Sequence, residues 1–244
     1  IVSNSMNSIL NNNIFLEKEN HIYQLNDDPT FEFKSVTTFV GDFFEKFDAQ
    51  GVATKLTKTH PKYKHLTIDE LLGQWKKKAE YGTFVHEEIE YYINDKTPPT
   101  DDRSIRAIKW LHGYRIQSNY QLHSEKIIYS KELNLAGTID LLMYDKKSDS
   151  YIIVDWKTSS KIDTSGFRHK TGNHDITRNL EDCNYNHYSL QLSLYRYILE
   201  NFYDLKISNQ MIVHITDTDC RGYITPYLLN HIKLMAQYQI NRLD

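Results

Sequence analysis

This sequence of 244 residues has few cysteines, no long apolar run and no excess of positive charge. Its two cysteines, Cys183 and Cys220, are too few for a disulfide framework, a four-cysteine zinc site or a four-cysteine iron–sulfur cluster. So low a cysteine content favours a reducing, intracellular compartment. No apolar run approaches the ~18 residues of a membrane span, so we expect no membrane partner. The net charge of −3 excludes a uniformly basic surface but leaves room for a local basic groove.

The beginning of the sequence also lacks the features of a secretory signal. Residues 1–13 are polar and rich in Asn, with neither a basic segment nor a long apolar segment. We predict a flexible tail over 1–13 and one domain over 14–244, divided into a hairpin with helices over 14–100 and a core over 101–244. A single domain is the simplest interpretation because the hydrophobic fraction, 40%, and the charged fraction, 25%, are those of ordinary globular proteins.

The spacing of apolar residues changes along the chain from a helical period to the alternation of strands. The predicted elements are a hairpin of 21–25 with 31–33, helices beginning after Ser35 and Thr67, helices over 82–94 and 105–116, strands over 121–131, 135–144 and 150–156, a helix over 185–202, a strand over 210–215 and a helix over 228–243. Glu70 completes a possible capping box with Thr67. This order predicts an α/β fold in which helices flank a central mixed β-sheet, with an N-terminal helical region.

Two polar stretches contain most of the clustered basic residues. The segment 158–184 is longer than ordinary connections, which is typical of functional or disordered loops, and it contains Lys161 and Arg168. The segment 55–78 is the second stretch and ends near Lys76 and Lys77. A solvated surface is the commoner explanation of one basic run, so neither stretch by itself indicates a nucleic-acid partner.

Two aspartates come opposite each other if 135–156 forms a hairpin. With the turn centred between Lys147 and Ser148, paired residue numbers sum to 295, so Asp140 would face Asp155 with Cβ atoms roughly 5 Å apart. This register is an assumption, because a slip of one residue turns one side chain to the other face. Two buried like charges need a positive partner, and Lys157 shares the face of Asp155.

One ammonium group does not balance two carboxylates, so we expect a divalent cation beside them. Oxygen ligands favour Mg²⁺ or Mn²⁺. Such a cation next to a lysine can activate water and stabilise the charge that develops on a phosphodiester. Lys157 could orient the water, deprotonate it or offset the phosphate charge, and the sequence does not choose among these roles. A surface salt bridge is the alternative explanation of Asp155 and Lys157 taken alone.

Four short motifs in this order resemble the RecB-like branch of the PD-(D/E)xK nuclease superfamily. They are Gly-Thr-Phe-Val-His-Glu at 82–87, Gly-Thr-Ile-Asp at 137–140, Asp-Trp-Lys-Thr-Ser at 155–159 and Gln-Leu-Ser-Leu-Tyr at 191–195. With Ser-Val-Thr at 35–37, they look most similar to the mitochondrial genome maintenance exonucleases and their phage and viral relatives. The resemblance implies a restriction-endonuclease-like fold, so that 14–244 would be one nuclease domain.

The resemblance also implies a role for each matching residue. Asp140 and Asp155 would be metal-binding carboxylates, and Lys157 would be the catalytic lysine. His86 and the backbone carbonyl of Trp156 would be further metal ligands. Gln191 and Tyr195 would support the site and contact the nucleic acid. Glu125, on the preceding strand, is a further candidate acidic partner. Asp155 stands where Glu is commoner, and the missing cysteines exclude the iron–sulfur subgroup. Without the other motifs, His86 and the helix of Gln191 and Tyr195 would be explained as structural.

The motifs together predict a Mg²⁺- or Mn²⁺-dependent deoxyribonuclease, most simply an exonuclease that acts on single-stranded DNA. Lys76, Lys77, Lys161 and Arg168 are candidates for contacts along the strand. One alternative is an endonuclease on DNA or RNA, including the viral cap-snatching kind, which shares the His–Asp–Asp–Lys order. A nuclease-like module that binds nucleic acid without cleaving it is another. The chain could also be one part of a larger replication or repair protein.

Overall fold

The computed structural model describes residues 8–10, 13–113 and 120–244. Its strands are β1 (Ile14–Glu17), β2 (Ile22–Leu25), β3 (Lys34–Ser35), β4 (Tyr120–Ser130), β5 (Leu135–Asp145), β6 (Ser150–Lys157), β7 (Ile207–Ile215) and β8 (Cys220–Ile224). Its helices are α1 (Val36–Gly41), α2 (Ala49–Thr59), α3 (Ile68–Asp95), α4 (Asp102–Gly113), α5 (Asn184–Phe202) and α6 (Leu229–Leu243). The end of the predicted helix over 105–116, and most of the predicted tail over 1–13, lie outside the described residues. Ile9, within that predicted tail, is buried against the main core.

Helix starts follow the capping signals in the sequence. Ser35 precedes α1 and accepts a hydrogen bond from the backbone N–H of Thr38. Thr67 and Glu70 form the predicted capping box at the start of α3, each side chain accepting from the backbone N–H of the other residue. Because these bonds satisfy N–H groups that the first turn leaves unpaired, short local signals are enough to define where these helices begin.

Several local predictions differ from the structure, and no helix was predicted where α2 lies. The helices predicted after Thr67 and over 82–94 are one continuous helix, α3, because lysine favours helices and a single Gly82 costs only about 1 kcal/mol. The hairpin is formed by β1 with β2, whereas 31–33 pairs with none of the described strands, and Phe33 instead packs on Tyr129. Strand β8 was not predicted because its residues are mostly exposed and show no apolar alternation.

The central sheet is mixed, and its strands have the order β3-β5-β6-β7-β8. Strand β4 lies outside this order and pairs antiparallel with β5. Strands β5 and β6 are antiparallel, and β6 and β7 are parallel. The predicted register is confirmed, since the pairs run from Asp145 with Ser150 to Leu141 with Val154. The next positions along that ladder are Asp140 and Asp155, so both aspartates lie where the paired part of this hairpin ends.

Helices cover both faces of the sheet, which confirms the predicted α/β fold. One apolar cluster joins α1, α5 and α6 to side chains such as Ile153 and Ile212. The other joins α3 and α4 to side chains such as Val154 and Trp156 on the opposite face. Within the described ranges, no helix is both long and apolar enough to cross a membrane.

Candidate active site

Side chains from three strands and one helix meet at the end of β6. Helix α3 contributes His86, β4 contributes Glu125, β5 contributes Asp140, and β6 contributes Asp155 and Lys157. Ligand atoms of His86, Glu125 and Asp140 all lie within 4.8 Å of one another. The structure therefore brings together residues that are up to 71 positions apart in the sequence.

His86 and Asp140 are both tied to the backbone of Trp156. The ring Nε2 of His86 lies 3.1 Å from the carbonyl oxygen of Trp156, and its Nδ1 lies 3.7 Å from Oδ2 of Asp140. The N–H of Trp156 donates a hydrogen bond of 2.8 Å to the same Oδ2. This one peptide segment thus positions the imidazole and the carboxylate, and the role of its carbonyl oxygen as a metal ligand stays a prediction.

Glu125 lies opposite Asp140 in the β4–β5 ladder, between the pairs Ser124–Leu141 and Lys126–Ile139. Its backbone is in the left-handed region, with φ 50°. Such a conformation costs a non-glycine residue of order 1–3 kcal/mol, and it recurs where a function requires a particular side-chain direction. Here it accompanies the placement of a third carboxylate beside His86 and Asp140.

The electrostatics of this group favour uptake of a cation. Burial raises the pKa of Glu125, and the charges of Asp140, Glu90 and Asp155 raise it further. Burial also raises the pKa of Asp140, against the opposing effect of His86. Carboxylates whose pKa is raised by burial and by neighbouring negative charges are stabilised when a positive ion neutralises them. A donor set of two carboxylates, a backbone carbonyl and an imidazole fits a divalent cation.

Lys157 is held at the site by an ion pair. Its Nζ lies 2.6 Å from Oδ2 of Asp155 and 4.3 Å from the ring centre of Tyr188. Burial acts to lower the pKa of Lys157, but attraction by Asp155 and Asp140 outweighs it, so the pKa lies above its ordinary value. The side chain is therefore a fixed cation at neutral pH.

Gln191 and Tyr195 pack behind the site. Tyr195 is 2% exposed, and its hydroxyl oxygen accepts a hydrogen bond of 3.0 Å from Nε2 of Gln191. Gly137 makes room for this ring, because a Cβ there would lie 2.6 Å from Cε1 of Tyr195. The structure places Tyr195 as a buried support for the strand that carries Asp140, whereas Gln191 is only partly buried and also reaches Oγ1 of Thr37 at 3.5 Å.

The four basic candidates lie on the surface. Lys161 pairs with Asp163 at 3.0 Å, and Lys76 approaches Glu80 at 3.8 Å. Arg168 has a left-handed backbone, and its guanidinium group lies over the exposed ring of Phe167. Lys77 is exposed. In the described part of the chain, no hydrogen bond or ion pair joins these side chains to the acidic group, so their contact with a strand stays a prediction.

Sequence reasoning missed two residues that shape the site. Tyr188, whose ring covers Lys157, stands three positions before Gln191, so helical spacing could have indicated it. Arg103 donates a hydrogen bond of 2.7 Å to the carbonyl of Thr158 and pairs with Asp217, which fixes the chain directly after Lys157. No local sequence signal points to Arg103.

Residues 52–214 match the family model of the PD-(D/E)XK nuclease superfamily. This range is more than half of the chain and includes every member of the acidic group, so the protein belongs to the PD-(D/E)XK nuclease superfamily.

Two solved structures are similar to the chain at low sequence identity. The protein SSO0001 is 13% identical with a TM-score of 0.38, over 87% of this chain and 76% of that one. A protein of Eubacterium rectale assigned as an exonuclease is 12% identical with a TM-score of 0.37, over 86% of this chain and 78% of that one. No curated protein matches the sequence significantly. The family assignment rests on the family model and on the site.

Proposed function

We propose that this protein is a Mg²⁺- or Mn²⁺-dependent deoxyribonuclease that removes nucleotides from the ends of single-stranded DNA. The observation that carries the proposal is the meeting of His86, Glu125 and Asp140 next to the Asp155–Lys157 pair. The proposed chemistry needs a cation and a lysine within reach of one phosphate, and the proximity of these residues supports this group as the candidate for both. The sequence resemblance to mitochondrial genome maintenance exonucleases supports the choice of DNA ends.

His86, Glu125, Asp140 and the carbonyl of Trp156 would hold the cation, with Asp155 adjacent. When bound, it would supply Lewis-acid stabilisation of phosphate charge and a more acidic water. The chain's own contribution is positional. Asp155 and the ring of Tyr188 keep the Lys157 ammonium group at one place, where it can donate to a phosphate oxygen or to the attacking water.

Cleavage of blocked and circular strands tests the proposal. Linear single strands, strands blocked at the 5′ or the 3′ end, and a single-stranded circle are incubated with the protein in Mn²⁺, in Mg²⁺ and in chelator. We expect degradation of linear strands in either metal, protection by one end block, and an intact circle. Cutting of the circle would replace the exonuclease proposal with an endonuclease. Cleavage of RNA but not DNA would contradict the choice of substrate.

The same experiment can also show that the protein binds single strands without cleaving them. A chain that binds single strands but releases no product in either metal would be a binding module that keeps the nuclease fold. The presence of Asp140, Asp155 and Lys157 together favours an active enzyme. Binding through phosphate contacts should weaken steeply as salt rises, and charge removal at Lys76, Lys77, Lys161 or Arg168 should reduce the salt dependence by about one unit per lost contact.

A further inference from the structure

A cavity of about 310 Å³ lies beside the acidic group and takes no part in the proposed chemistry. Ile212 and His214 from β7 line it together with Tyr185 from α5 and Tyr223 from β8, and the long loop completes its wall with Ser160, Lys161, Ile162 and Thr164. Its volume is at the small end of the range of ~300–1,000 Å³ that is usual for small-ligand pockets. One flat ring system fits such a space, but a peptide helix or a duplex does not.

Strand pairing places this cavity next to the active-site lysine. Asp155 pairs with Ile212, and Lys157 pairs with His214, in the parallel β6–β7 ladder. Paired residues of neighbouring strands lie on the same face about 5 Å apart. Tyr223 pairs with Ile212 one strand further out. The cavity is therefore the next position across the sheet from the Asp155–Lys157 pair.

Helix α5, which packs on the sheet, also places the cavity next to Lys157. Tyr185 lies one helical turn before Tyr188, whose ring covers the Lys157 ammonium group. The backbone N–H of Tyr185 donates to the carbonyl of Asp163, which anchors the loop wall of the cavity to the helix. A molecule bound between Tyr185 and β7 would thus lie about 5 Å, one strand spacing, from Asp155 and Lys157.

The lining combines apolar and aromatic surface with a few polar atoms. Ile212 forms an apolar floor, and the two tyrosines offer ring surface. Nε2 of His214 lies 2.6 Å from the carbonyl oxygen of Ser159, so this nitrogen carries the proton. In the neutral ring Nδ1 is then a hydrogen-bond acceptor. Aromatic walls with one or two hydrogen-bonding groups are what proteins use to hold an unpaired base.

We propose that this cavity holds one nucleobase of the DNA strand, at the nucleotide next to the phosphate that is cut. The inference rests on the proposed function, because it places that phosphate at His86, Asp140 and Lys157. Stacking on tyrosine accepts any base, so the site would set the position of the strand with little preference for sequence. It also requires an unstacked base, so the site would favour single strands over duplex.

Binding measurements with abasic strands test the cavity separately from cleavage. Short fluorescent single strands, each lacking one base at a different position, are titrated with the wild-type protein in chelator, and anisotropy gives Kd. We expect affinity to fall roughly 5- to 150-fold at one position only, the range for loss of one stacked base. The same strands in Mn²⁺ should show the largest loss of cleavage at that position.

Two pairs of variants connect this position to the cavity. Thr164→Trp fills the cavity from an exposed loop position, and Ser165→Trp adds the same ring at the exposed neighbour that does not line it. Tyr223→Ala removes one wall, and Ile224→Ala is its exposed control on the same strand. We expect Thr164→Trp and Tyr223→Ala to weaken binding of the intact strand but not of the sensitive abasic strand. Circular dichroism checks that each variant is folded.

The outcomes separate the two proposals. Equal affinity for all abasic strands, or equal loss by Thr164→Trp on intact and abasic strands, overturns the base site whether or not the enzyme cleaves. Absence of any single-strand binding overturns it as well. A position-dependent loss without cleavage in either metal supports the base site and contradicts the nuclease activity.

Discussion

The carboxylate of Asp140 accepts a hydrogen bond from the backbone N–H of Trp156 at 2.8 Å. This bond joins β5 to β6 directly beyond Leu141 and Val154, the last pair of their ladder. Asp140 thus completes a buried backbone hydrogen bond, and in the proposed function it would also contribute a charge to the cation site. A substitution that removes the charge of Asp140 but keeps the hydrogen bond from Trp156 can distinguish these two roles.

Asp140→Asn should keep the fold and lose the cation. The amide oxygen can still accept from Trp156, and removal of a carboxylate whose pKa is raised by burial relieves electrostatic cost. We expect Mn²⁺ affinity to fall by at least about tenfold while the free energy of unfolding without metal stays equal or rises. Asp140→Ala should instead cost about 1–3 kcal/mol, because the N–H of Trp156 loses its partner. Calorimetric titration and urea unfolding measure both effects.

Exposed Asp95, at the end of α3, offers the matched control. Asp95→Asn should change neither Mn²⁺ affinity nor stability by more than about 0.5 kcal/mol. Unchanged Mn²⁺ binding in Asp140→Asn would contradict the placement of the cation.

Lys157→Met should reduce cleavage by about 10²- to 10³-fold, because the methionine keeps the length of the side chain and removes the charge that the proposed function places beside the phosphate. KM should change much less than kcat if the ammonium group acts mainly in the transition state. Lys147→Met, in the exposed turn between β5 and β6, is the control and should behave as wild type. Full activity of Lys157→Met in steady-state assays would remove this lysine from the mechanism.

Stability without metal should fall as pH rises, and Glu125 should cause part of the change. Burial holds the pKa of Glu125 above its ordinary value of 4.5, so between that value and its folded pKa the native state binds more protons than the unfolded state. This contribution is fully present below the unfolded pKa and is lost as pH rises through the folded pKa. One proton gives a slope of at most about 1.4 kcal/mol per pH unit.

Glu125→Gln should flatten this slope, and exposed Glu32→Gln should leave it unchanged. Saturating Mn²⁺ should flatten the wild-type slope too, because the cation stabilises the ionised carboxylates. Urea unfolding at several pH values, with and without Mn²⁺, measures all four curves. A wild-type slope unaffected by Glu125→Gln would show that this carboxyl titrates normally.

Gly137→Ala should destabilise the protein by about 1–3 kcal/mol, because the new Cβ would lie 2.6 Å from the buried ring of Tyr195 and the core must shift. Cleavage should fall as well, since Asp140 is three residues further along the same strand. Gly73→Ala is the matched control in α3, where a Cβ meets no atom within 4 Å. It should raise stability by up to about 1 kcal/mol. Thermal melting of both variants tests the opposite signs, and a neutral Gly137→Ala would contradict the close packing.

Much of the fold could be predicted where the signal is local. The capping residues Ser35 and Thr67 define two helix starts, and alternation defines β4, β5 and β6. The hairpin register was predictable as well, because a short turn leaves few ways to pair two apolar strands. Strand β8 and the true partner of β2 were not predictable, since exposed edge strands lack an apolar pattern and pairing partners are chosen by packing.

The sequence by itself determined the superfamily, because the motifs at 82–87, 137–140, 155–159 and 191–195 resemble it in this order and residues 52–214 match its family model. Only the tertiary structure decided that His86 lies 3.1 Å from the Trp156 carbonyl, that Glu125 turns toward Asp140, and that Tyr188 covers the lysine. These contacts join residues far apart in the chain. Their formation depends on how α3 and α5 pack on the sheet, and packing is a property of the whole core that no short stretch of sequence contains.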